Sequence, residues 1–238
     1  MRTTRLLLAS TLVTALMATA VDAAAAAAKP AATPAGAAAK APAGPAPVEG
    51  TDYFRIDSPD PVRGGKVRVV EVFGYGCPIC NRFQPMLKAW GGKLPADVEF
   101  AYEPAAFGAD PEHCWDDFAR GFYAAKALGV QAKAHDAIYD EVFVQHRLEP
   151  AGCANVPTLW SDFGVDAKTM SARMQAFDIG AKIDAAHDEV VRWGVDGTPT
   201  LVVDGTWRVP LTRDGGPTAL LRTVDWLIVK QRPLHKGH

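Results

Sequence analysis

VRVVEVFGYGCPICNRFQPMLKAWGG, residues 67–92, is the stretch on which the fold turns. Val67 to Phe73 is short, β-branched and bounded by glycines, the pattern of a buried strand. Gly74-Tyr75-Gly76 breaks it, Cys77-Pro78-Ile79-Cys80 follows, and Phe83, Met86, Leu87 and Trp90 then fall at helical spacing until Gly91-Gly92 stops the helix. Val98 to Tyr102 reads as a second strand. The unit is β–α–β with a CxxC at the strand-to-helix turn.

Outward from this unit the pattern becomes helical. Asp110-Pro111 reads as a cap and first helical residue, Trp115, Phe118, Phe122 and Ala125 mark one face, and Gly129 ends the helix. A second helix runs from about Ala132 to Arg147, burying Ile138, Val142 and Phe143. Two shorter ones lie near Thr158 to Phe163 and Asp166 to Phe177. A longer one, about Ala181 to Trp193, buries Ile183, Ala186 and Val190. Strand character returns with Thr200 to Val203, a turn at Asp204-Gly205, and Trp207 to Val209, a hairpin closed by a helix from Pro217 to Lys230. The order β–α–β, helices, β–β–α predicts a sheet domain interrupted by a helical insertion.

The N-terminal end has a different composition. Arg2 and Arg5, an apolar stretch from Leu6 to Met17, and small residues offering cleavage after Ala20 or Ala23 read as a secretory signal over residues 1–23. The apolar run is shorter than the ~20 residues a membrane span needs. Ala23 to Pro47 holds 15 Ala and 5 Pro in 25 residues, with no large side chain to bury, and reads as a tether over residues 24–48. The folded part then covers 49–238. Of the whole chain's 25 Lys+Arg and 27 Asp+Glu, residues 1–48 carry four basic and one acidic, leaving the remainder mildly acidic. With no basic face in the sequence, a nucleic-acid partner is not expected. Four cysteines are too few for a disulfide-packed scaffold, so a hydrophobic core must hold the domain.

A CxxC can be half a zinc site, a redox pair or a structural disulfide. Zinc sites want four ligands, and Cys114 and Cys153 lack CxxC spacing, while His113 adjoins Cys114 too closely to close a tetrahedral site with it. No metal is expected. At a helix N-terminus, unpaired N–H groups and the helix dipole favour a negative charge, so a thiol there ionises more easily, and the thiolate is the reactive form. Cys77 occupies that point as the expected exposed nucleophile. Cys80, one turn on, is the expected buried resolving thiol, and Pro78 suits the first turn because its missing N–H costs no helical bond.

Glu71 to Cys80 resembles the active-site entry of the DsbA-like thiol:disulfide oxidoreductases. Gly197-Thr198-Pro199-Thr200 before a strand resembles their cis-proline loop, and Ala124 to Val130 resembles their helical insertion. The resemblance implies an α/β architecture, a thioredoxin fold with an inserted all-helical domain, with the core at about 49–110 and 190–238 and the insertion at about 111–189. It implies that Glu71 is a buried acid exchanging a proton with Cys80. Glu71 shares a strand face with Val67, Val69 and Phe73, although a solvated edge position fits the strand too. It implies that Pro199 is cis and faces the disulfide, with Thr198 contacting the cysteines and the substrate chain. It implies no cofactor beyond the redox-active Cys77–Cys80 pair, reduced unfolded exported proteins as substrates, a periplasmic location, and reoxidation by a DsbB-like membrane protein. Ile79 departs from the pattern. Strongly oxidising relatives carry His there, and Ile can neither donate a hydrogen bond nor carry charge, so Pro78-Ile79 is expected to tune the pair to a less oxidising value.

Cys114 opens the first long inserted helix and Cys153 lies beyond the second. Consecutive helices joined by a short turn run antiparallel, so a Cys114–Cys153 disulfide stapling them is geometrically sensible, with a second redox pair as the competing reading. Trp115 and its neighbouring Phe residues read as core, or in part as a substrate groove. The function expected is a disulfide oxidase. An isomerase or reductase at the same site is the alternative, and a non-redox chaperone or binding module is a third.

Overall fold

A computed structural model describes residue 42 and residues 44–61 and 65–235. The signal segment and most of the tether lie outside the described residues. At the tether's far end, Pro47 is already buried and the Pro45 carbonyl accepts a hydrogen bond from Arg222, 2.6 Å away.

The sheet has five strands, β1 (Phe54–Arg55), β2 (Val67–Phe73), β3 (Val98–Pro104), β4 (Thr200–Val203) and β5 (Trp207–Pro210), in the order β1-β5-β4-β2-β3. Only β2 and β3 run parallel. β2 is flanked by strands on both sides and covered on both faces, so every residue of it except the half-buried Arg68 is buried. Val67 and Val69 face α1 (Pro78–Gly91) and α6 (Gly216–His235) through Phe83, Leu87, Val224 and Leu227. Val70 and Val72 face α5 (Phe177–Arg192) through Val190, with Trp193 beside it. The sheet is thus sandwiched between helices, with α5 returning from the insertion to cover its second face.

Between β3 and β4 the chain forms α2 (Trp115–Ala127), α3 (Gln131–Phe143), a 3-10 segment (Gly152–Phe163), α4 (Ala167–Met174) and α5. The elements from α2 to α4 share a core of Phe118, Phe122, Ile138, Leu159, Trp160 and Met170, which also includes Phe73, Tyr75, Cys77 and Cys80 from the sheet domain, while α5 packs on α2 through Ile179, Ile183 and Ala119. The insertion therefore packs against the CxxC itself. The Tyr123 hydroxyl donates to Glu103, joining α2 to β3.

Several boundaries move from the sequence expectation. α2 starts at Trp115 because Asp110 caps a separate turn, its Oδ1 accepting from the amides of Glu112 (2.8 Å) and His113 (3.3 Å). α3 stops at Phe143, where the apolar face runs out at the exposed Val144. Phe177 opens α5 rather than closing the preceding helix. Met86 is exposed, and Gln84 takes the buried place, because α1 lies between two bodies and its buried face is turned toward α3. β1, two residues long, carries no periodicity to read.

Gly121 in α2 shows how tightly the insertion is packed. A Cβ there would sit 2.3 Å from the ring of the fully buried Trp160. Gly→Ala inside a helix normally gains about 1 kcal/mol, but overpacking a core costs about 1–3 kcal/mol. Gly121→Ala is therefore expected to destabilise the protein, lowering its urea unfolding midpoint; a raised midpoint would show that Trp160 has room to move.

Candidate active site

β2 delivers the chain to Gly74-Tyr75-Gly76, and both glycines are required by close approach. A Cβ on Gly74 would lie 2.2 Å from the Trp115 ring, and one on Gly76 would lie 2.4 Å from the His113 carbonyl oxygen. With no side chains in the way, the start of α2 closes down on the loop. The Cys77 amide donates to the Gly74 carbonyl (3.1 Å), and extended backbone at Cys77 (φ −88°, ψ 112°) makes it the cap of α1. Its sulfur accepts from the Cys80 amide at 3.3 Å, and Pro78 takes the first helical position.

Both thiols are free. Cys77 is 6 % exposed, less open than expected, because the Thr198 carbonyl lies 3.5 Å from its sulfur and the cysteine joins the core of the insertion. Cys80 is fully buried, and Ile79 between them is 42 % exposed. The Thr198–Pro199 peptide is cis, so the proline loop stands directly against Cys77.

The two thiols are driven apart electrostatically. The Cys80 thiol, the Thr198 side chain and the amides of Cys80 and Ile79 all favour the Cys77 thiolate, the Cys80 hydrogen bond most strongly, and outweigh burial to bring its pKa to about 6. Cys80 moves the other way, raised by burial first, then by its bond to Cys77 and the nearby Glu71 charge. Glu71 is completely buried, and neither carboxyl oxygen has a hydrogen-bond partner among the described residues. Burial, and then the charge of Cys77, raises its pKa well above the usual carboxylate range. One site thus holds an easily ionised sulfur, a reluctant one and a carboxyl disposed to keep its proton.

Cys114 and Cys153 are disulfide-bonded, with Cα atoms 5.4 Å apart. The bond links the cap of α2 to the start of the 3-10 segment, and Cys114 follows the residue whose carbonyl packs on Gly76. Among the described residues, no group of three or more His, Cys, Asp and Glu is placed to hold a metal ion.

The comparisons with known proteins fit this geometry. A family model described as a DSBA-like thioredoxin domain matches residues 68–214. The chain belongs to this DsbA-like family. It is 34% identical over 192 residues to the thiol:disulfide interchange protein DsbA of Pseudomonas aeruginosa, covering 79% of this chain and 87% of the relative. The same-named protein of Azotobacter vinelandii is 33% identical, covering 77% and 84%. The crystal structure of the oxidoreductase DsbA from Xylella fastidiosa superposes with a TM-score of 0.71 at 32% identity, covering 79% of this chain and 98% of that one.

Within the DsbA-like frame, sequence reasoning passed over the polar aromatic shell around the pair. Tyr102 is the register partner of Glu71, and the Gln84 amide donates to its hydroxyl at 3.1 Å. Tyr139 is buried with no hydrogen-bond partner for its hydroxyl among the described residues, and Tyr75 meets His135. The available signal was weak: His135, Ile138 and Tyr139 share the buried face of α3, a pattern that ordinary core residues also produce.

Alkylation of reduced protein is expected to titrate at Cys77 with a midpoint near pH 6 and to level off above it. Cys80→Ala removes the leading stabiliser and should move that midpoint up, while Cys80→Ser keeps a donor and should hold it low. A wild-type midpoint near 9 would refute the assignment.

Proposed function

We propose that this chain is an exported protein disulfide oxidase that moves disulfides from Cys77–Cys80 to other proteins. Membership of the DsbA-like family supports thiol:disulfide oxidoreductase chemistry. The observation carrying the oxidising direction is the place of Cys77 at the cap of α1, where its sulfur accepts the Cys80 amide at 3.3 Å, a setting that favours the thiolate and lowers its pKa to about 6. That stabilisation exists only in the reduced form, since a disulfide has no thiolate. It is full at pH values above the unfolded thiol's pKa and is lost as pH falls through about 6. Wherever it is present it draws electrons onto the enzyme.

In the proposed cycle a substrate thiolate attacks the Cys77 sulfur of the oxidised pair. The Cys77–Cys80 bond breaks, and Cys80 leaves and takes a proton, for which Glu71 is the adjacent carrier. The substrate's second thiolate then attacks its own sulfur in the mixed disulfide. Cys77 departs as a thiolate, the substrate gains a disulfide and the enzyme holds the two electrons. Cys80 resolves mixed disulfides in the reverse direction. Thr198 and Pro199 line the approach to Cys77 and offer backbone to an extended substrate chain. The Cys114–Cys153 bond serves as a structural staple.

Reduced, unfolded exported proteins are the proposed substrates and a DsbB-like membrane oxidase the proposed reoxidant. The periplasmic setting rests on residues 1–23 as a secretory signal. No cofactor beyond the cysteine pair enters the cycle. Ile79 favours one second reading, isomerase or reductase, because it gives the thiolate no side-chain donor.

The reduction potential of Cys77–Cys80 against glutathione separates the two readings. A value well above that of thioredoxin (about −270 mV) is expected, and one near it would sink the oxidase reading. Ile79→His should make the pair more oxidising, by about 30 mV for each tenfold gain in thiolate stabilisation, and should lower the Cys77 alkylation midpoint. Cys77→Ser should reduce oxidation of a reduced substrate protein to background, whereas Cys80→Ser, offered a protein that already carries a disulfide, should accumulate the mixed disulfide that its Cys77 thiolate forms and cannot pass on, read on a denaturing gel.

A further inference from the structure

The turn that aims Cys77 has a single side chain with which it can be held. Gly74 and Gly76 are bare because Trp115 and the His113 carbonyl occupy the space, so the anchoring of Gly74-Tyr75-Gly76 falls on Tyr75. Tyr75 is 1 % exposed and points into the helical insertion, where its ring meets Phe118 (5.7 Å), Tyr139 (5.3 Å) and Trp160 (6.3 Å). Such ring contacts leave rotation and sliding open, whereas a hydrogen bond fixes a direction. The Tyr75 hydroxyl lies 2.8 Å from Nδ1 of His135 on α3.

His135 is built into its place. It is 4 % exposed and ringed by Phe73, Tyr75, Tyr102, Phe122 and Tyr139, with the Tyr102 centroid 4.0 Å away. The Gln131 amide nitrogen, a donor only, also faces Nδ1 at 3.4 Å, so Nδ1 is the acceptor and the Tyr75 hydroxyl donates to it. Burial brings the imidazole pKa down to about 4, which keeps that lone pair free at neutral pH.

We propose that His135 is a positioning residue for exchange at Cys77: through the Tyr75 hydroxyl, the helical insertion fixes the glycine-flanked turn that sets the sulfur at the start of α1. The consequence reaches Cys77 by two short steps. The Gly74 carbonyl accepts the Cys77 amide at 3.1 Å, and the Cys77 sulfur accepts the Cys80 amide at 3.3 Å. A turn free to shift lengthens the second contact and weakens the hold on the thiolate. The inference rests on Cys77 being the exchanging thiol.

Tyr75→Phe keeps the ring and removes only the hydroxyl. His135→Leu removes the acceptor, and His135→Gln returns an acceptor to the same position. Full-length protein is reduced, Cys77 alkylation is followed against pH, exchange with glutathione is timed, and urea unfolding is recorded. Tyr75→Phe and His135→Leu are expected to raise the Cys77 midpoint by about half a pH unit, about a threefold loss of thiolate stabilisation, and to slow exchange in proportion. The Gln131 side chain also bonds to the Tyr75 hydroxyl, so the double variant should shift no further than Tyr75→Phe alone, because His135 acts through that hydroxyl, and His135→Gln should recover part of the shift. If the midpoint and exchange rate of Tyr75→Phe match wild type, with or without a fall in unfolding midpoint, His135 is a packing residue and the proposal fails. Should His135→Leu not fold, Tyr75→Phe decides alone. A wild-type protein with an unreactive Cys77 would instead overturn the proposed function together with this inference.

Discussion

The sulfur of Cys77 stands where the first turn of α1 has amides without helical acceptors, and the remaining architecture exists to keep it there. A helix N-terminus solvates an anion only if the anion is held within hydrogen-bond reach, so a misplaced turn loses the effect. The interior position of β2, paired with β4 on one side and β3 on the other, provides a rigid base. The bare backbone of Gly74 and Gly76 lets Trp115 and the His113 carbonyl press against the loop from one side, and the Thr198–Pro199 loop closes it from the other. Cys77 is therefore enclosed, yet its charged form is favoured over its neutral one. Burial ordinarily does the reverse. Here the donors win over desolvation.

The same enclosure gives the site its asymmetry. Cys80 is one turn deeper and Glu71 lies on the strand beneath, both fully buried. Desolvation dominates for each and holds the proton on both. Two chemically identical thiols three residues apart thus acquire opposite preferences from their surroundings. The shell of Tyr102, Tyr139 and Gln84 supplies polar groups without supplying charge. A formal cation among them would relax the carboxyl and erase the contrast.

Much of this was legible in residues 67–92. A seven-residue β-branched run, two glycines and a CxxC opening an amphipathic helix carry their own physical meaning, and β2 falls at Val67–Phe73 as read. The pairing of β2 with β4 has no local pattern to announce it, since the two strands are more than 120 residues apart. What escaped was long-range. Met86 and Gln84 exchange burial because α1 faces α3 as well as the sheet, and helical spacing knows only one partner face. Asp110 is a good cap, but it closes a turn instead of a helix, since only tertiary packing of His113 on Gly76 distinguishes the two. Cys77 looked exposed because the wall over it comes from Thr198, far along the chain. His135 looked like any polar residue at a buried helical position.

That distance along the chain has a temporal meaning. Val69 pairs with Val203, and the insertion lies wholly between them. A ribosome making this protein releases Cys77 and Cys80 early and the residues that cover Cys77 near the end. The helices of the insertion, whose contacts are local, can form in the interval, while the sheet must wait for β4 and β5. For about half of its synthesis the chain therefore carries its reactive motif without its cover, and the contacts that distinguish one thiol from the other are completed only when the last strands arrive.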